Sequence, residues 1–112
     1  MTASDLIPIE EIRAAARRSA GSLHRTPVMS SEALGRRAGV RLSLKCESFQ
    51  KTGSFKPRGA LNKVLSLADS ERGRGLVTVS AGNHAQAVAW AARRAGVACV
   101  VVMPESAPES KQ

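Results

Sequence analysis

The apolar positions of the chain change their spacing as it proceeds, and each change predicts an element. Ile9, Ile12, Ala16 and Ala20 recur with charged residues between them, the three- and four-residue spacing of an amphipathic helix. Pro8 suits its start and Gly21 its stop. Arg25-Thr26-Pro27-Val28 is predicted to be extended, because a residue before proline avoids helical backbone angles. A second helix runs through Glu32, Ala33, Leu34 and Ala38, capped by Ser30 or Ser31 and closed by Gly39. Residues 40–46 then alternate apolar and polar, which predicts a half-exposed strand. After a polar, irregular stretch, Ala60, Leu61, Val64, Leu65 and Ala68 form the buried stripe of a third helix.

The remainder has a different grammar. Residues 69–75 are charged and contain two glycines, which reads as a hinge or domain junction. Residues 76–80 predict a strand, 83–95 an alanine-rich helix closed by Gly96, and 97–102 form an almost unbroken apolar run. Such a run predicts a strand buried on both faces, as in a parallel sheet covered by helices. The helix between the two strands is long enough for the crossover that parallel strands require, so this is a βαβ unit. Pro104 starts another turn, and residues 106–112 read as the first turn of an unfinished helix. Two strands and an unfinished helix cannot cover both faces of a sheet, so the expectation is an incomplete α/β fold and a fragment of a longer chain. Residues 1–75 are expected to form one part and 76–112 to open a second.

Composition narrows the chemistry. The chain has 112 residues, enough for one small core, and a net charge of +8 from 17 basic and 9 acidic residues. That charge would suit a polyanion, but two Phe, one Trp and no Tyr make base stacking a poor hypothesis. Moreover Arg17 and Arg18, Arg36 and Arg37, and Arg93 and Arg94 fall late in predicted helices, where cations complement the helix dipole. Cys46 and Cys99 form no CxxC pair, and Cys99 lies in an apolar strand. Two buried thiols in a reducing compartment is the reading. The first residues carry no sustained apolar run, so neither a signal peptide nor a membrane span is expected, and the location expected is cytoplasmic.

Two stretches carry candidate chemistry. In Gly53-Ser54-Phe55-Lys56-Pro57-Arg58-Gly59-Ala60 a lysine stands between two glycines at a predicted helix start. Gly53 and Gly59 permit positive φ or close backbone approach, Pro57 fits the first turn, and Ser54 or Gly53 can cap it. The helix dipole and partial burial beside Phe55 disfavour a proton on Lys56, and a neutral lysine attacks carbonyls. A solvated lysine in a helix-start loop is the alternative. The second stretch, Ser80-Ala81-Gly82-Asn83-His84-Ala85-Gln86, lies between a strand and a helix. Ligands of parallel sheets bind at the carboxyl ends of strands, where a helix N-terminus offers free N–H groups to an anion. Ser80 and Asn83 add short polar side chains and Gly82 allows close approach; simple caps are the alternative. His84, with no second His or acid at ligand spacing, is not read as a metal ligand, and no metal is expected.

Together the two stretches resemble the fold-type II pyridoxal-phosphate enzymes, specifically the threonine/serine dehydratases (threonine ammonia-lyases) and the related serine racemases. The resemblance extends from Thr26-Pro27 through 45–52 to Val102-Met103-Pro104-Glu105 and Ala107-Pro108. It implies that pyridoxal 5'-phosphate is the cofactor and that Lys56 carries it as a Schiff base and then moves protons at the substrate Cα. Phe55 would pack on its ring and Asn83 would bond its 3-hydroxyl. The Ser80, Ala81, Gly82, Asn83 and His84 segment would hold the substrate carboxylate. Cysteine and threonine synthases usually have threonine in place of His84, which favours the dehydratase branch. Serine racemases carry a serine where this chain has Ala81, and alanine has no proton to give, which favours elimination of water from threonine or serine over racemisation. The resemblance also implies a small-molecule amino-acid substrate, a homo-oligomer in the full-length form, and neither nucleic-acid nor membrane binding. The family's phosphate loop lies beyond residue 112, so little activity is expected of this chain alone. Another fold-type II lyase or racemase, and a non-catalytic truncated product, are the competing readings.

Overall fold

A computed structural model describes residues 6–108. The elements, in order, are α1 (Ile9–Arg18), β1 (Val28–Ser30), α2 (Glu32–Ala38), β2 (Ser43–Lys45), α3 (Lys56–Ser66), α4 (Asp69–Arg72), β3 (Leu76–Val79), α5 (Asn83–Ala95) and β4 (Cys99–Val102). Two short 3₁₀ turns, Glu47–Phe49 and Lys51–Gly53, lead into α3. The predicted turn over 106–112 lies partly outside the described residues, as do residues 1–5 of the segment read for a signal. Its described part is a turn in which Ala107 N–H donates to the Pro104 carbonyl at 2.9 Å.

The helix ends follow their sequence signals. The Ser31 hydroxyl accepts from Leu34 N–H at the start of α2, and Gly39 closes that helix with φ 66°. Gly96 closes α5 with the same φ. Only glycine takes that left-handed conformation without a Cβ penalty. The arginine pairs stand in the last turns of α1, α2 and α5, as the dipole argument requires.

The core lies between α3 and α5, the pair of elements with the most extensive packing. Leu61 and Val64 of α3 meet Ala91 of α5, and Leu23, Leu65, Leu76, Trp90 and Val97 close around them. Alanines on α5 let the two helices approach closely. Ala68, predicted to continue the α3 stripe, is instead exposed, because α3 ends at Ser66 and the chain turns into α4. The amphipathic α1 buries none of its residues, and Ile9 and Ile12 remain exposed.

The strands form two separate pairs. β1 and β2 are antiparallel with Met29 opposite Leu44, and β2 is shorter and more exposed than the alternation predicts. β3 and β4 are parallel, with Val77 opposite Val100 and Val79 opposite Val102, which is the expected βαβ unit. The expected burial on both faces does not hold. Leu76, Thr78, Cys99 and Val101 are half-buried, whereas Val77 (76% exposed), Val79, Val100 and Val102 are bare. Side chains alternate across a strand, so α5 covers one face and nothing among the described residues covers the other. No helix among those residues is long and apolar enough to cross a membrane.

Candidate active site

Lys56 is the first residue of α3, half-buried, with Pro57 beneath it fully buried. Phe55 stands at the cap position and its residue is 63% exposed. Neither Ser54 nor Gly53 caps the helix. Ser54 is extended and buried, and among the described residues its Oγ has no hydrogen-bond partner, nor has the buried Oγ1 of Thr52. Gly53 does take positive φ (68°), but so does Thr52 (58°), which a β-branched residue adopts only under constraint. Gly59 lies inside α3, so it does not take the positive φ that its type allows, and a Cβ there would meet no atom within 4 Å.

A polar clamp flanks this segment. Arg58, two positions past Lys56, donates from Nε to Glu47 Oε2 at 2.6 Å and from a terminal nitrogen to Glu47 Oε1 at 2.7 Å. The planar fork matches the carboxylate, giving two parallel charge-assisted bonds. Thr26 Oγ1 donates to the same Oε1. Hydrogen bonding from Arg58 is the main cause holding the Glu47 carboxyl down at about 2, with burial opposing it and the Thr26 bond and the charges of Arg58 and Lys45 assisting. Glu47 in turn raises the Arg58 guanidinium. A second lock is Gln50, 4% exposed. Its Oε1 accepts from His24 N–H at 2.9 Å and Lys51 N–H at 3.0 Å, and its Nε2 donates to the His24 carbonyl at 2.8 Å. Thus the segment entering α3 is tied to the extended segment preceding β1 by side chains on both.

The second stretch occupies the carboxyl end of the β3–β4 pair. Ser80 N–H donates to the Val102 carbonyl at 3.0 Å, extending the ladder by one bond. The Ser80 hydroxyl accepts from Gly82 N–H at 3.2 Å, so it caps the bend and not the helix. Gly82 precedes α5, and a Cβ there would meet no atom within 4 Å. Ala81 is half-buried, Asn83 and His84 are exposed, and Ala85 turns into the core. The loop therefore presents an open, glycine-lined approach to the first turn of a helix, where N–H groups favour a carboxylate or phosphate. The two stretches are linked through the α3–α5 packing, and the 51–53 turn also rests on α5.

These residues fit a carbonyl cofactor at one end: a half-buried amine, an exposed aromatic ring beside it, and an open loop at a helix start. The residues the sequence reading passed over are Thr26, Glu47, Gln50 and Arg58. Their only signal was membership of the quoted motif, because partners separated by 11 to 26 positions leave no local pattern.

Comparison with known proteins bears on this arrangement. Residues 20–112 match the family described as pyridoxal-phosphate dependent enzyme. The chain is 44% identical over 105 residues to a serine racemase of Dictyostelium discoideum, covering 94% of this chain and 32% of that protein. To an L-threonine ammonia-lyase of Thermotoga maritima it is 48% identical over 106 residues, covering 95% and 26%. The structure of maize serine racemase superposes with a TM-score of 0.85 at 50% identity, covering 92% of this chain and 31% of that one. The chain thus spans about a third or less of the length of these relatives.

Proposed function

The chain belongs to the pyridoxal-phosphate dependent enzyme family, and from that premise we propose that it carries the catalytic lysine of an enzyme that removes water from serine or threonine. The products are a 2-oxo acid and ammonia. The matched relatives support the substrate class, since serine and threonine, the amino acids in their names, both carry a β-hydroxyl.

In this reading Lys56 holds the cofactor through its amine, Phe55 lies along the ring, and Asn83 bonds its ring hydroxyl. The cofactor, when bound, withdraws electrons from the substrate Cα and so acidifies its proton. The released Lys56 amine takes that proton on one face. The Cβ–O bond breaks as the hydroxyl gains a proton and leaves as water, and the enamine that departs is hydrolysed. Ser80, Gly82 and His84 hold the carboxylate with the first N–H groups of α5, fixing which Cα bond faces Lys56. Residues 69–75 are proposed as the junction between the lysine-bearing part, 1–75, and the carboxylate-binding part, 76–112.

The observation that carries elimination over racemisation is Ala81. Its methyl group, in the carboxylate loop, supplies no proton to the second face of Cα. The serine racemases among the relatives favour the second reading, inversion at Cα. Incubating the complete enzyme with L-serine and assaying both pyruvate and D-serine separates them. Pyruvate with at most traces of D-serine is expected, and D-serine as main product would overturn elimination. For the lysine, borohydride reduction of this chain with pyridoxal phosphate and peptide mapping should label Lys56 preferentially. Uniform labelling of the exposed lysines would refute its role.

A further inference from the structure

The amphipathic α1 lies on the molecule with its apolar side outward. Ile9, Ile12 and Ala16 recur at helical spacing and all three are exposed, Ile12 by 55%. Leu6 and Ile7, just before the helix, are bare as well. A different side meets α3: Ala14 and Ala15 are half-buried, and Arg18 Nε donates to Asn62 Oδ1 at 2.8 Å. At about 3.6 residues per turn, Ala14 and Arg18 stand across the helix from Ile12 and Ala16. The contact with α3 therefore fixes α1 in place and leaves its stripe free. A helix of ten residues has little stability of its own in water, and covering that stripe would add to it.

The charges of α1 are sorted along its axis. Glu10 and Glu11 fill the first turn, Arg17 and Arg18 the last. The helix dipole alone would explain that order. It does not explain the bare isoleucines, nor where the charges find partners. Among the described residues Glu11 and Arg17 enter no ion pair, and Glu10 has only an exposed one with Arg13 at 3.7 Å. A helix with an acidic start and a basic end is complementary to a second copy of itself running antiparallel. Parallel pairing would instead set like charges against each other. With a two-fold axis level with Ala14, Glu10 of one copy comes beside Arg17 of the other, and Ile12 lies over Ala16, a large side chain on a small one. The axis repeats each of these contacts.

We propose that α1 is a self-association surface, on which two copies of this chain pair antiparallel through the Ile9, Ile12 and Ala16 stripe. The inference does not depend on the function proposed above. Two such short stripes cover less than the roughly 1,200 Å² of a durable interface, so the pairing is weak, with a dissociation constant on the order of 0.1 mM.

Sedimentation equilibrium of the full chain from about 10 µM to about 1 mM should show a monomer passing into a dimer. Helix content by circular dichroism should rise over the same range, because pairing covers a marginal helix. Ile12→Lys should weaken the association about tenfold or more, whereas Val77→Lys, on the bare face of the β3–β4 sheet, should leave it unchanged. Glu10→Arg and Arg17→Glu should each weaken it about threefold. An equal mixture of those two variants should recover the original affinity, since each charge then meets its opposite. Urea midpoints at the lowest concentration check that every variant folds. A chain that stays monomeric at the highest concentration assigns the stripe to some other occupant and overturns the proposal. Equal weakening by Val77→Lys and Ile12→Lys moves the contact to the sheet face and overturns it too, and a mixture that fails to recover overturns the antiparallel pairing.

Discussion

The two halves of the candidate active site are built differently. The lysine half is fastened by side chains: Arg58 and Thr26 on Glu47, and Gln50 on His24 and Lys51. The loop half is fastened by backbone, with one ladder bond from Ser80 N–H to Val102 and one hydroxyl cap on Gly82 N–H. The contrast suits what each half is proposed to hold. An amine on a long, rotatable side chain acts at one point only if the backbone beneath it is held, and the clamp ties that backbone to the segment before β1. A loop that receives an anion through N–H groups has to leave those groups open, and side-chain locks would occupy them.

Cutting the clamp therefore tests the contrast most severely. Arg58→Ala leaves Glu47, whose side chain is only 19% exposed, without its bidentate partner. Removing one member of a partly buried pair strands the other charge, and with Arg58 itself 37% exposed the expected loss is about 2 to 3 kcal/mol. Urea denaturation measures it. A loss no larger than that from an equivalent cut in the loop half would erase the distinction.

Much of this was legible in the sequence, and what was not shares one property. Helix ends at Gly39, Gly96 and Ser31, the βαβ order and the two candidate stretches all rest on neighbours in the chain, where local rules apply. The clamp joins residues remote in sequence, so no spacing announces it. The unpartnered Ser54 hydroxyl illustrates the same limit: a serine before a helix reads as a cap, but Phe55 already has helical angles and takes the cap position. The valine face misled for a different reason. An unbroken apolar run does predict a strand made for burial on both sides, yet Val77 and Val100 face solvent because nothing among the described residues packs on that side. Pattern reports what a surface is suited to, and packing reports what meets it.

Acid should weaken the same clamp without any substitution. The Glu47 carboxyl sits at about 2 in the folded chain against an ordinary value of 4.5. A depressed folded value means that its stabilisation is complete above pH 4.5 and is lost as pH falls toward 2. Discounted for the exposure of Arg58, the loss across that window is about 1 to 2 kcal/mol. Glu47→Gln should flatten the pH dependence of the urea midpoint there, and an unchanged slope would show that Glu47 is not the titrating group.

The smallest effect belongs to the loop half, and its size is the point. Ser80→Ala removes the hydroxyl that accepts from Gly82 N–H at 3.2 Å but leaves the Ser80 N–H bond to Val102 intact. Gly82 is only half-buried, so water satisfies its freed N–H, and the cost of one exposed neutral hydrogen bond is about 0.5 kcal/mol. Folding stability should hardly move, whereas the bend before α5 loses the hydroxyl tether on Gly82 and amide hydrogen exchange at Gly82 should accelerate. If Ser80→Ala instead destabilises the chain as much as Arg58→Ala does, the loop is as firmly built as the lysine half. The open approach to α5 would then be a rigid structural feature and not a surface held ready for an anion.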